Sequence, residues 1–179
     1  GQSNQLEVTV NRFSANESVN RAERSSDFWL FSGIFRPVWL EAKPQNNIDR
    51  ISLDARHNGD FSADVFLAGR PDGKIVARVT TLDGKALGKE MTAQIVDGKA
   101  QVRGNVARVT PWSAENPQRY QVRFQLVSGG ESVHEVSKTI GFRTIELRPH
   151  DGVYVNGYKV RLKGSNRHTI WPTSGRASS

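Results

Sequence analysis

Residues 120–126 read YQVRFQL. Tyr120, Val122, Phe124 and Leu126 alternate strictly with Gln121, Arg123 and Gln125. Successive side chains on a strand point to opposite faces, so this period of two marks a strand with one buried face and one wet face. The pattern recurs outward from this stretch. Phe61, Ala63, Val65 and Leu67 alternate with polar neighbours including Ser62 and Asp64, and Ile51, Leu53 and Ala55 with Ser52, Asp54 and Arg56. Leu6–Val10, Phe35–Leu40, Ile75–Thr81 and Met91–Val96 are further strand candidates.

Between these runs lie Asp-Gly pairs at 72–73, 83–84, 97–98 and 151–152, and Asn-Gly pairs at 58–59 and 156–157. Such dipeptides accept the positive φ that tight hairpins demand. Short strands punctuated in this way predict an all-β, antiparallel sandwich or barrel. No convincing amphipathic helix exceeds two turns. Residues 43–147 open with a KPQNN linker and then supply about seven strands over about 100 residues, the size of an immunoglobulin-like sandwich. Its expected core is Leu53, Val65, Leu67, Val79, Val122, Phe124, Leu126 and Ile140. Trp112 is expected to pack at the end of the sandwich. Residues 1–42 hold too few strands to close a core. Residues 148–179 form one hairpin across Asn156-Gly157 and then lose periodicity.

The chain has 179 residues, 25 Lys+Arg, 18 Asp+Glu and a net charge of +7. That excess suggests an acidic partner until it is located. Gly152–Ser179 contains no Asp or Glu and carries Lys159, Arg161, Lys163, Arg167 and Arg176, which leaves the rest of the chain at +2. A nucleic-acid binder concentrates Lys/Arg on a folded face, often with stacking aromatics. Here Arg161 and Lys163 alternate with Val160 and Leu162, as on a strand's solvent face, so no nucleic-acid partner is expected. No apolar run approaches the ~20 residues of a membrane span. The absence of cysteine removes disulfides, thiolate zinc sites and Cys nucleophiles. It leaves the compartment open between periplasm and cytoplasm.

Two stretches carry candidate chemistry. Residues 26–40, SDFWLFSGIFRPVWL, hold five aromatic residues beside Asp27. Rings beside a carboxylate suit a sugar, whose C–H face packs on the ring while its hydroxyls donate to the carboxylate; the same stretch also reads as a core strand. Lys163–Pro172 runs into Asn166-Arg167-His168, where His168 is either a proton-transfer group or a polar loop residue. No His/Asp/Glu spacing suggests a closed metal site.

Taken together, these motifs resemble glycoside hydrolase family 2, the β-galactosidase family. SDFWLFSGIFRPVWLEA (26–42) looks like the end of its jelly-roll sugar-binding domain. PWSAENPQRYQVRFQL (111–126) resembles the close of its immunoglobulin-like domain, and GFRTIEL (141–147) that domain's last strand. DGVYVNGYKVRLKGSNRHTIWPTSGR (151–176) resembles the opening of its catalytic (β/α)₈ barrel. The resemblance implies three segments: a jelly-roll remnant (1–42), a sandwich (43–147) and a barrel start (148–179).

It further implies a retaining β-galactosidase-like parent acting on terminal β-D-galactosides, with β-glucuronidase and β-mannosidase as alternatives. An autonomous carbohydrate- or protein-binding module is the rival reading. Asp27 matches a residue that contacts substrate hydroxyls and, in some galactosidases, a monovalent cation. His168 matches a histidine that stabilises the transition state, and Asn166 and Arg167 shape the same rim. Thr169 stands where many members carry Glu, which leaves the sugar open. Retaining hydrolysis needs two carboxylates about 5–5.5 Å apart. In the family both lie further along a barrel of ~250 residues, so this chain alone is expected to be inactive and free of cofactors. The parent is expected to use Mg2+ with Na+ or K+. Strands in 1–42 that lack neighbours leave open edges that invite docking on the sandwich or pairing into a homo-oligomer.

Overall fold

The structure, a computed structural model, describes residues 3–25, 33–34, 36–166 and 171–173. They fall into two compact units, one of residues 42–162 and one of 1–41 with 163–179. The larger unit is all antiparallel β. Strands β1 (Asn47–Ala55), β2 (Asp60–Ala68), β3 (Lys74–Thr81), β4 (Ala86–Gln94), β5 (Lys99–Asn105), β6 (Tyr120–Ser128) and β7 (Glu131–Ile140) form a two-sheet sandwich. One sheet has the order β1-β2-β5 and the other β4-β3-β6-β7. Three short strands, β8 (Ile145–Arg148), β9 (Gly152–Val155) and β10 (Tyr158–Lys159), make a separate sheet in the order β10-β9-β8.

The alternation read from the sequence fills the space between the sheets. Val65, Ile75, Ala77, Val79, Val102, Val122, Phe124 and Leu126 are fully buried. Across the ladder Phe124 pairs with the small Ala77, while Ile75 pairs with Leu126. Phe124 meets Phe61 of the opposite sheet at a ring separation of 6.4 Å. Leu53, Leu67 and Ile140 lie at the margin, half-buried against this core. The Asp-Gly and Asn-Gly pairs turn with positive φ as expected, both residues of Asp97-Gly98 and Asn156-Gly157 included. At Gly59, with φ of 89°, any Cβ would collide with the carbonyl of Val106, whose N–H donates to Gly59 O at 2.8 Å.

Three expectations need correction. Leu6–Val10 lies in no strand, and its Leu6, Val8 and Val10 are exposed. Phe35 lies outside the described residues, and Arg36–Leu40 is also in no strand, with Trp39 and Leu40 exposed. Alternation supplies an apolar face, but a strand persists only where a second backbone completes its ladder, and no described residue does so here. Met91–Val96 overlaps β4, which starts earlier and ends at Gln94; Val96 instead makes a lone bridge to Lys99.

The smaller unit contains α1 (Glu17–Arg24), eight residues with none buried. Its start is fixed by Asn16, whose Oδ1 accepts from Ser18 N at 2.9 Å. Arg24 folds back over the Phe13 ring and donates to Arg12 O.

Candidate functional site

Asp27, Arg167 and His168 lie outside the described residues. Asn166 is described, exposed and in no strand. Of the four expected sugar-contacting residues, the described residues thus include Asn166 alone. What it does build is a cleft of about 1200 Å³ at one end of the larger unit.

One wall is the 110–116 loop, and Tyr120 sets it. Tyr120 begins β6, is buried, and accepts a hydrogen bond on its hydroxyl from Thr110 N at 2.7 Å. This is a tyrosine corner, which ties the start of a sandwich strand to backbone upstream. Tyr120 also packs edge-on against Phe142 at 5.5 Å. The turn that follows closes on itself, with Ser113 N donating to Asn116 O and Asn116 N to Ser113 Oγ, each at 3.0 Å.

Trp112 sits half-buried at the end of the sandwich, as expected from the sequence. Its N–H donates to Phe142 O at 2.9 Å and its ring lies 4.8 Å from the Arg143 guanidinium. Its seat requires Gly141, where a Cβ would stand 2.9 Å from three side-chain atoms of Trp112.

The other wall is the β8–β9–β10 sheet. Phe142 is the last residue buried in the sandwich core, and Arg143 N still donates to Ala55 O. The chain then leaves, so that the second half of GFRTIEL forms β8 and pairs with β9. Asn156 joins the two walls. Its φ of 53° shapes the turn, its Oδ1 accepts from Thr144 N, and its Nδ2 donates to Trp112 O, both at 3.0 Å. Thr144 Oγ1 in turn lies 2.7 Å from His57 Nδ1. The sequence marked Asn156 only as a turn residue, since nothing local reveals a partner 44 positions away.

This small sheet has two unlike faces. Ile145 pairs with Val155, Leu147 with Val153, and Tyr158 with Val155, giving an apolar face. The opposite face carries Glu146, Arg148, Tyr154 and Lys159. Arg148 stacks over Tyr154 and donates twice to Glu146. Asp151 accepts from Lys159 at 2.6 Å and from Tyr154 at 2.5 Å. The Lys159 ammonium, then the Tyr154 hydroxyl, hold the Asp151 carboxyl below the usual carboxylate range, and Asp151 raises Lys159 in return.

Pro111, Trp112 and Ala114 thus face Ile145, Val155 and Tyr158 across the cleft, with His57, Glu115 and Lys159 also among its lining residues. Among the described residues Glu115 is the one carboxylate lining it. The cleft can bind or dock, and among the described residues it presents no carboxylate pair of the kind a retaining glycosidase uses. Among the described residues no group of three His, Asp or Glu is placed to hold a metal, and no helix is long and apolar enough to cross a membrane.

The profile described as "Glycosyl hydrolases family 2" matches residues 48–143. That span runs from the second residue of β1 to Arg143, where the chain departs from the sandwich. The chain belongs to glycosyl hydrolase family 2. Over 98% of its length it is 30% identical to a β-galactosidase of Lactobacillus delbrueckii subsp. bulgaricus, of which it covers 18%. Over 97% it is 28% identical to a β-galactosidase of Streptococcus thermophilus, of which it covers 17%. The chain therefore spans about a fifth of the length of these family 2 relatives. Among solved structures, β-glucuronidase from Bifidobacterium dentium superposes with a TM-score of 0.65 over 75% of this chain and 24% of that one, at 18% identity. That likeness establishes the shared fold.

Proposed function

We propose that this chain is the non-catalytic middle portion of a retaining β-galactosidase-like hydrolase. In this reading residues 43–147 are the sandwich that spaces and braces a sugar-binding domain against a catalytic barrel. Residues 1–42 belong to the former and 148–179 to the latter. The observation that carries the reading is the family match over the sandwich in a chain covering less than a fifth of two β-galactosidases.

The physical build of the larger unit supports the bracing role. Its core is continuous between the two sheets, Phe142 is buried where the chain leaves that core, and Asn156 ties the departing hairpin to Thr144 and Trp112. A rigid spacer holds groups on either side in register, which matters because ångström-scale displacement of a reacting group costs orders of magnitude in rate.

Asp27, Asn166, Arg167 and His168 serve the reaction from either side of this brace. Asp27 accepts hydrogen bonds from substrate hydroxyls, and His168 donates to the developing charge of the transition state, with Asn166 and Arg167 shaping the rim. The nucleophile and acid/base belong to the rest of the barrel.

The test is hydrolysis of chromogenic glycosides by the whole protein. Turnover of a terminal β-D-galactoside at least tenfold faster than the β-glucuronide and β-mannoside is expected. Preference for the glucuronide would move the protein to a β-glucuronidase, and no turnover of any of the three would overturn the reading.

A further inference from the structure

Strands β1 and β7 are edge strands of different sheets, and no ladder joins them. Near their C-terminal ends lies a second cavity, of about 490 Å³, lined by Leu53–Ala55 of β1 and by Thr139 and Ile140 of β7. Small-ligand sites run about 300–1,000 Å³. Trp112 and Arg143 line both this cavity and the larger cleft.

The cavity is apolar at its floor and cationic at its rim. Ala55 is buried, and Leu53 and Ile140 are half-buried against the core. Arg119, just before β6, and Arg143, just after Phe142, are both exposed. Elsewhere Arg56, Arg78, Arg123 and Arg148 each hold a carboxylate. Arg119 and Arg143 hold none among the described residues. Asp54 is the one acid lining the cavity among those residues, and it is committed to Arg56 at 2.9 Å.

Arg143 is held ready for a ligand. Its N–H donates to Ala55 O at 2.8 Å, and its guanidinium lies over the Trp112 ring at 4.8 Å. A guanidinium placed on a ring by one face keeps its edge N–H donors for an oxyanion in its own plane. A bare inorganic anion would leave the floor wet, and a neutral hydrocarbon would leave both guanidiniums unused.

We propose that this cavity binds a small organic carboxylate. Its charged group meets Arg119 and Arg143, and its ring or chain rests on Leu53 and Ile140. A carboxylate is planar and matches the guanidinium fork edge to edge.

Calorimetric titration of the 179-residue chain with benzoate tests it. One saturable site with a Kd of about 1 mM or tighter is expected. Benzamide, of the same shape without the charge, should bind about tenfold more weakly or worse. Arg119→Gln should weaken benzoate about tenfold, and Arg119→Lys, which keeps the charge but loses the fork, by less. Arg123→Gln, at a position paired with Glu135, should leave benzoate binding unchanged. In the unsubstituted chain, benzoate should slow phenylglyoxal modification of Arg119 and Arg143 but not of Arg103, read by mass spectrometry. That measurement stands whether or not a variant folds. Equal affinity for benzoate and benzamide would overturn the proposal, as would tighter binding of inorganic phosphate than of benzoate. A loss with Arg123→Gln as large as with Arg119→Gln would also overturn it, and so would phenylglyoxal reactivity of Arg119 and Arg143 that benzoate does not change.

Discussion

The sandwich and the β8–β9–β10 sheet are written in the same code and end differently. In both, apolar residues recur every second position. In the sandwich that face is closed, with Val65, Val79, Val122 and Phe124 fully buried. In the small sheet Ile145, Leu147 and Tyr158 remain more than half exposed. Alternation fixes which face a strand wants to bury, and only a second layer decides whether it is buried. The pair teaches that the larger unit is a finished core carrying an unfinished one at its exit.

The largest test of that contrast is truncation on each side. Phe124→Ala removes a ring at the centre of the sandwich and should cost about 3–5 kcal/mol in urea unfolding. Leu147→Ala, on the open face, should change the same midpoint by no more than about 0.5 kcal/mol. Comparable losses at both positions would mean that the small sheet is already packed.

The join between the regions comes next. Asn156→Gly keeps the positive φ of the turn while deleting the amide that reaches Thr144 and Trp112. A loss of about 1–3 kcal/mol is expected, with altered near-ultraviolet circular dichroism as Trp112 loses a neighbour. At the sandwich end alone, Tyr120→Phe deletes only the hydroxyl that accepts from Thr110 N and should cost about 1 kcal/mol.

Acid gives the smallest effect. Asp60 is held low by the Asn105 and Asn58 amides, Asp64 by Lys99, and Asp151 by Lys159. A carboxyl lowered on folding stabilises above its unfolded value near pH 4. That contribution is lost as pH falls through the lower native value. Stability should therefore decline below about pH 4, and Asp151→Asn should remove only the small sheet's share. These groups are exposed, so salt should blunt the whole trend.

What the sequence disclosed follows the same physics. Strands β2, β3 and β6 announce themselves because each carries three or more apolar residues in alternation between turn dipeptides. Strand β5 has only Ala100 and Val102 facing the core, and β7 is an edge strand whose exposed residues dilute the pattern, so neither stood out. Helix α1 has only Val19 and Ala22 as apolar residues and buries none of its side chains, so its Asn16 cap is its main local signal. The immunoglobulin-like sandwich was thus legible from single strands and turns. The cleft was not, because it depends on β8 leaving the sandwich and on Asn156 meeting Trp112. Asp27 and His168 stood out through their aromatic and polar neighbours but took definite roles only through motif resemblance, as did Arg167, and all three positions fall outside the described residues.

The role proposed for the folded unit is to brace a glycosidase without performing its chemistry. Its most direct test is turnover of a chromogenic β-D-galactoside by the purified 179-residue chain, measured beside the whole protein at equal molarity. Release at the buffer rate is expected from the 179-residue chain, and enzymatic release from the whole protein. Saturable turnover by the 179-residue chain alone would contradict it.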